Sequence, residues 1–303
     1  MLEKISAFIA ALIIAFGSAY KTSSVPEGWL VWHSYNDYSA MDSSLYYMEP
    51  DGSIRTIEGA FAHAMNGSFG TTPDVVTFMA IDTTADEWDI YIYNAEDESV
   101  VNMTEHSGYR NEDPKWSPDG KSIIFKRGKW NSAANGFQYD LALLDIQTRN
   151  VTMLTDDIIE EAMPCFSDDG KYIYYAGYKN GIGSIYRMKL GNGKRSAIFS
   201  ENGVNAYYPI VMGKDLYFTK WRSKTNHHDQ LMRFDGKKAV SLPFNTTECD
   251  RSDICPIGGG SYIYSSTLHG DYDLYYYNGR EEVILPKINS ERNELGADFY
   301  ALI

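Results

Sequence analysis

The segment DLALLDIQTRNVTMLT, from Asp140 to Thr155, is the clearest of six copies of one pattern along this chain. Each copy has a short apolar or aromatic run, a polar turn and a second short apolar run, which is the pattern of a β-hairpin. The second residues of the copies recur at intervals of 43 to 51 positions, at Leu45, Ile90, Leu141, Ile185, Leu231 and Leu274. Strand-built repeats with a period of about 40–50 residues are typical of β-propellers, with one four-stranded blade per repeat. The spacing therefore predicts an all-β, six-bladed β-propeller.

The segment DPKWSPDGKSIIFKR, from Asp113 to Arg127, precedes that hairpin and supplies the other two strands of the same blade. Pro opens a short inner strand, Asp-Gly makes a tight turn, and an alternating run forms the second strand. A variant starts at Met163, and degenerate copies start at Tyr207 and Cys255. The pattern P-x-[WF]-S-x-D-G-K-x-I-x-[FY] resembles the WD-like repeat of TolB-type propellers, a periplasmic and secreted family. Its motifs specify turns and strands rather than chemistry, so the resemblance implies a fold and a compartment.

The first blade lacks an inner strand of its own. Residues 27–34 (EGWLVWHS) have the pattern of a second strand and are followed by the SLYYMEPDG hairpin. The chain ends with ELGADFYALI, from Glu294 to Ile303, which can fill the missing position. We therefore predict that the C-terminal strand closes the ring, which removes the open strand edges of the first and last blades. The blades are then expected at residues 27–59 with 294–303, 60–105, 106–155, 156–201, 202–245 and 246–288.

Residues 1–19 have the pattern of a secretory signal peptide. Lys4 supplies a weakly positive N-terminal region, residues 5–16 are apolar, and Gly-Ser-Ala at 17–19 offers a small-residue cleavage site. The apolar run is short for a membrane span, and an uncleaved N-terminal anchor is the alternative. No other stretch is long and apolar enough to cross a membrane. We therefore expect a secreted or periplasmic monomer whose residues 20–303 form a single propeller domain.

Charge and cysteine usage exclude several classes of function. The chain has 41 acidic and 27 basic residues, a formal charge of −14, which disfavours nucleic-acid binding because that needs a basic face. A local basic pocket is still compatible with this charge. Cys165 is expected to be buried, whereas Cys249 and Cys255 lie in one predicted loop and either pair or stay free. No CxxC or HExxH motif occurs, so we predict no cofactor and leave a divalent metal open.

The candidate site residues come from one predicted face of the propeller. Loops from second to third strands, and loops between blades, share that face around the central channel, and binding sites collect on such loops. These loops are rich in Arg, His and Trp. The candidate substrate-binding residues are Arg110, Arg127, Trp130, Trp221, Arg222, Asn226, Arg251 and His269. The candidate catalytic residues are His228 and His33.

A second recurrence lies within these loops. Triplets beginning at Arg110, Arg251 and Arg292 each place Arg, a small polar residue and a carboxylate before a predicted inner strand. One interpretation is a repeated structural ion pair or turn cap. The other is a ring of guanidinium groups over the channel mouth, which would suit a uronate because Arg forks bind carboxylates in a bidentate manner.

These residues favour recognition of an acidic, uronate-containing saccharide. If the protein is an enzyme, they suit a polysaccharide or oligosaccharide lyase acting by β-elimination, which needs a cation on the uronate carboxylate and a base for the adjacent proton. Arg127, Arg222 and Arg251 could supply the first, and His33, His228 or a nearby Tyr the second. The alternative function is a non-catalytic protein-interaction scaffold of the cell envelope, as the TolB-type resemblance implies. No G-x-S-x-G elbow, P-loop or dinucleotide fingerprint occurs.

Overall fold

Six four-stranded antiparallel sheets make up the computed structural model, which describes residues 26–84, 87–133, 135–222 and 228–302. These ranges hold 24 strands and one 3-10 turn. The predicted six-bladed β-propeller is confirmed. The predicted signal peptide, residues 1–19, lies outside the described residues.

The strands are numbered here in chain order. The first blade contains β1 (Gly28–Tyr35), β2 (Ser44–Met48) and β3 (Ile54–Thr56), with the 3-10 turn (Tyr38–Ala40) between β1 and β2. The second contains β4 (Phe61–Phe69), β5 (Val75–Asp82), β6 (Trp88–Asn94) and β7 (Ser99–Asn102). The third contains β8 (Arg110–Trp116), β9 (Ser122–Asn131), β10 (Gly136–Asp145) and β11 (Val151–Met153).

The other three blades repeat the order. The fourth contains β12 (Glu160–Phe166), β13 (Tyr172–Lys179), β14 (Ile182–Lys189) and β15 (Arg195–Phe199). The fifth contains β16 (Asn205–Met212), β17 (Asp215–Trp221), β18 (Gln230–Phe234) and β19 (Ala239–Ser241). The sixth contains β20 (Arg251–Gly258), β21 (Ser261–Ser266), β22 (Asp273–Tyr277) and β23 (Glu282–Ile284). The last strand, β24 (Asn293–Ala301), returns to the first blade.

The ring closes as predicted, through the C-terminal strand. β24 is the innermost strand of the first blade and pairs antiparallel with β1, where Leu30 lies opposite Phe299 and Ser34 opposite Glu294. Arg292, just before β24, donates hydrogen bonds from Nη2 to the carbonyl oxygens of Ser34 (2.9 Å) and Asp42 (2.7 Å). Both ends of the propeller segment are therefore held in one sheet.

The apolar core is a circle of interfaces between neighbouring blades. Six clusters of buried side chains each join two adjacent blades. The cluster at the closure joins Leu30 and Trp32 of the first blade to Ile263 and Leu274 of the sixth. Side chains alternate between the two faces of a strand, so each blade presents one apolar face to each neighbour. Every blade is thereby fixed by the blades on both sides.

A bulge interrupts the innermost strand of every blade. One residue at each bulge has a left-handed backbone, with φ between 48° and 61°, namely Asn66, Asp113, Met163, Tyr208, Asp253 and Gly296. All six line a cavity on the propeller axis. We call these six residues the axial ring.

The cysteines differ in one respect from the expectation. Cys255 lies in β20 and not in a loop, because the inner strand of the sixth blade begins at Arg251. Cys249 is also buried, with its Sγ 3.6 Å from Ser266 Oγ. Cys165 is buried in β12, as predicted. All three are free thiols, so the pairing of Cys249 with Cys255 that the sequence left open is not formed.

We predict that Gly296→Ala lowers the free energy of unfolding by about 2–4 kcal/mol, since it combines a positive φ with overpacking. Gly296 has a φ of 61°, and an added Cβ would lie 2.5 Å from His33 Cε1. Gly52→Ala is the matched control, because Gly52 has a φ of 84° but no heavy atom within 4 Å of the added Cβ. Denaturant unfolding measures both variants, and equal losses would contradict close packing at the closure.

Candidate functional site

The third blade carries a cleft of about 500 Å³ on the predicted loop face. The ten-residue strands β9 and β10 form its wall, and the loop before β8 forms its rim. Arg127 and Trp130, two of the predicted substrate-binding residues, line it together with Tyr109 and Lys129. Arg110, a third, lies on the opposite face of this blade, because Arg127 is paired with Asn111 and not with Arg110. The structure therefore brings two of the eight predicted residues together in this cleft.

The cations of this cleft rest on aromatic rings. The Arg127 guanidinium lies 4.6 Å from the centroid of Tyr109, and Lys129 Nζ lies 5.7 Å from the same centroid. Arg127 Nε donates to Asn111 Oδ1 at 2.8 Å, which fixes the orientation of the guanidinium. Within the described ranges, no carboxylate oxygen lies within 4.0 Å of Arg110, Arg127 or Lys129. The terminal nitrogens of Arg127 are therefore available to an anion.

Trp130 forms an open edge of the same cleft. Its side chain is 53% exposed, and its ring meets Phe137 edge-on with the centroids 5.3 Å apart. Phe137 in turn lies under the Arg110 guanidinium, at 4.5 Å. Asp140 lies directly across from Arg127 on the neighbouring strand β10, where burial raises the pKa of its carboxyl group. The cleft thus combines an aromatic surface, cations and carboxylate acceptors.

A smaller cleft of about 200 Å³ on the fifth blade contains three other predicted residues, Trp221, Arg222 and His228. Arg222 pairs with Glu201 at 2.6 Å and is 74% exposed. His228 Nδ1 lies 3.8 Å from Asp250 Oδ1. The remaining predicted residue of this segment, Asn226, lies outside the described residues.

Arg251 and His269 are engaged with residues of their own blade. Arg251 is 2% exposed, and its Nη1 lies 2.6 Å from Glu282 Oε1 in an ion pair. His269 contacts the Tyr275 hydroxyl through Nδ1 and stacks on that ring. These contacts give both residues a role in the packing of the sixth blade.

The three arginines of the repeated triplets do not form a ring of guanidinium groups. Arg110 stacks on Phe137, Arg251 is buried against Glu282, and Arg292 binds backbone carbonyls of the first blade. The repeated residue order therefore serves a different contact in each blade. The structural interpretation holds for Arg251 and Arg292, while Arg110 lies on Phe137, on the opposite face of the third blade from Arg127.

His33 lines a different cavity, of about 230 Å³, at one mouth of the axial channel. The imidazole is 3% exposed, and its Nδ1 accepts a hydrogen bond from the Asn66 backbone N–H at 3.4 Å. Burial, and the neighbouring His63 imidazole, lower the pKa of His33 to about 3. His33 is therefore neutral near pH 7. It and His228 line separate cavities, so the two predicted catalytic histidines do not meet.

A charged cluster around this cavity was not predicted from the sequence. Lys126 Nζ lies 3.0 Å from Glu112 Oε2 and 3.3 Å from Asp113 Oδ2. Asn66 Nδ2 donates to Asp113 Oδ1 at 2.8 Å, and the Tyr139 hydroxyl donates to Glu112 Oε1 at 2.7 Å. A partial signal was present, because the residue before the inner-strand proline is an axial-ring residue in three blades, as at Asp113-Pro114.

Neither a metal-binding cluster nor a membrane-spanning helix occurs in the part of the chain that the structure describes. No group of three or more His, Cys, Asp or Glu side chains is arranged to hold a metal ion there. No helix in those ranges is long and apolar enough to span a membrane.

No protein-family model and no curated protein matches this sequence. The fold is similar to that of TolB from Acinetobacter baumannii, with a TM-score of 0.70, 18% identity, and coverage of 94% of this chain and 70% of that one. Hydrazine synthase from Kuenenia stuttgartiensis is similar over 90% of this chain and 46% of that one, with a TM-score of 0.74 and 12% identity. The β-propeller domain of the Trilobed protease from Pyrococcus furiosus is similar over 88% of this chain and 82% of that one, with a TM-score of 0.56 and 14% identity. The chain therefore has a TolB-like propeller fold.

The axial carboxyl group of Asp253 gives a prediction for pH dependence. Burial raises the pKa of Asp253 to about 6. The folded protein then keeps a proton that the unfolded chain releases near pH 4, so this group lowers the free energy of unfolding as pH rises from about 4 to about 6. Asp253→Asn is expected to remove that loss and to raise stability at pH 7 by about 1–3 kcal/mol. Denaturant unfolding at pH 4 to 7 measures this, and identical pH profiles would contradict it.

Proposed function

We propose that this protein is a secreted or periplasmic TolB-like propeller that binds an acidic, uronate-containing saccharide in the cleft of the third blade. The observation that carries the proposal is a pair of cations without carboxylate partners, Arg127 and Lys129, in a cleft that the exposed Trp130 also lines. Arg127 is half-buried. A half-buried guanidinium group without a counter-ion gains most from an anion that arrives with the ligand.

Each group has a role in this proposal. The Arg127 fork, held by Asn111 and Tyr109, binds the uronate carboxylate through its terminal nitrogens. Lys129 adds a second positive charge on the same side. Trp130 packs against the apolar face of a sugar ring, and the Asp140 carboxyl group accepts hydrogen bonds from sugar hydroxyls. The overall charge of −14 makes this cleft a local exception on an acidic protein.

The geometry supports recognition more than cleavage. β-Elimination needs a base within hydrogen-bond reach of the sugar proton. His33 lies in the axial cavity with its pKa lowered to about 3, and His228 lies in the cleft of the fifth blade. Neither lines the cleft that holds Arg127 and Trp130. We therefore propose binding without turnover.

Substitution of Arg127 tests the proposal. Arg127→Ala is expected to lower affinity for uronate oligosaccharides at least tenfold, because a hydrogen bond to a charged group contributes about 1.5–3 kcal/mol. Trp130→Ala should also weaken binding. The matched control is Arg187→Ala, because Arg187 stacks on Tyr172 at 4.7 Å but does not line the cleft. Isothermal titration calorimetry with a panel of uronate oligosaccharides measures all three.

Three results would contradict the proposal. Equal affinity for neutral oligosaccharides would remove the role of the cations. Unchanged affinity of Arg127→Ala would move the site elsewhere. Ultraviolet absorbance from an unsaturated product would show that the protein is a lyase and not only a binder.

A further inference from the structure

Two carboxyl groups of the axial ring lie on opposite sides of the channel. In a ring of six blades the third and sixth are opposite, and they contribute Asp113 and Asp253. Tyr208 of the fifth blade and Asn66 of the second lie between them around the ring. The cavity of about 230 Å³ at the channel mouth reaches both carboxylates and the rings of Tyr35 and Tyr208.

The charges around this cavity do not balance locally. One ammonium group, Lys126 Nζ, forms ion pairs with both Glu112 Oε2 (3.0 Å) and Asp113 Oδ2 (3.3 Å). Asp253 accepts hydrogen bonds from Ser252 Oγ at 3.1 Å and from the Gly296 backbone N–H. Among the described residues no cationic nitrogen lies within 4.0 Å of the Asp253 carboxylate, and Lys115 acts on it only from a greater distance. The cavity therefore carries an excess of negative charge.

His33 adds a hydrogen-bond donor to the same cavity. Its Nδ1 accepts from the Asn66 N–H, so the proton of the neutral imidazole is on Nε2. The side chain is 3% exposed and lines the cavity, yet Nε2 makes no hydrogen bond to the described residues. Tyr35 stacks on the imidazole at 6.1 Å and holds the ring in place. His33 Nε2 is therefore a donor that is available to an acceptor atom of a ligand in the cavity.

We propose that the channel mouth binds a small primary amine that also carries hydroxyl groups, of the amino-sugar class. Its ammonium group lies between Asp113 and Asp253, and the three N–H donors are shared by the two carboxylates. The faces of Tyr35 and Tyr208 add cation–π attraction. A ligand hydroxyl accepts from His33 Nε2.

Size and donor chemistry favour this ligand class over the alternatives. The volume of about 230 Å³ suits one sugar ring and is below the usual range of about 300–1,000 Å³ for larger ligands. In the described ranges no cluster of three or more His, Cys, Asp or Glu could hold a metal ion. An ammonium group brings its own directed donors and needs fewer carboxylates. The proposal is independent of the saccharide cleft on the third blade.

Calorimetry with glucosamine and glucose tests this inference on the full mature chain. The two sugars have the same ring and differ by the ammonium group, so glucosamine is expected to bind at least tenfold more tightly. Asp253→Asn should abolish this preference. Asp273→Asn is the matched control, because Asp273 is a half-buried carboxyl group of the same blade that does not line the cavity. Thermal unfolding of both variants confirms that they fold.

Each other outcome would overturn the inference. Equal binding of glucose would make the ammonium group irrelevant. Retained glucosamine affinity in Asp253→Asn would place the site elsewhere, and absence of glucosamine binding at millimolar concentration would leave no site. Binding of Nα-acetyl-lysine amide, which has a free ε-ammonium group, as tightly as glucosamine would assign the cavity to a protein side chain instead of an amino sugar.

Discussion

The pairing of β24 with β1 closes the ring of six blades. It joins the last strand of the chain to the first blade, so the sixth and first blades share an apolar interface that includes Leu30 and Ile263. A propeller blade cannot bury both faces without two neighbours, and closure supplies the missing neighbour at both ends. The same strand contributes Gly296, whose lack of a side chain leaves room for His33. The strand β24 therefore both closes the ring and forms part of the axial cavity.

The axial ring shows how a repeated backbone can carry varied chemistry. The bulge fixes the position of one residue per blade, and the backbone conformation is the same at Asp113, Tyr208 and Asp253. Side chains at these positions are free to differ because the strand pairing on either side holds the bulge. The cleft of the third blade arises differently, from the long β9–β10 hairpin, which extends Lys129 and Trp130 past the end of β8. The two candidate sites are thus products of two separate local features of one scaffold.

The sequence predicted the number of blades and the closure because both follow from local signals. Strand alternation and Asp-Gly turns recur once per blade, which gives the number of blades. The first blade is the one that lacks an inner strand in the repeat pattern, so the final strand of the chain is assigned to it. Arg127 and Trp130 were found because they lie near each other at the end of one strand. The ion pair of Arg251 was not predicted because its partner Glu282 comes from a different strand of the blade, which no local pattern reveals. The axial ring was missed because a bulge residue such as Asp253 looks like any strand residue in the sequence.

Native-state hydrogen exchange of residues 293–301 tests the role of the closing strand most directly. If β24 completes the ring, its amides exchange only through the same global unfolding that exposes the inner strands of the other blades. The free energies of opening measured for β24, β8 and β16 should then agree. A separate opening of β24 at much lower free energy, with the inner strands β8 and β16 still protected, would contradict the account.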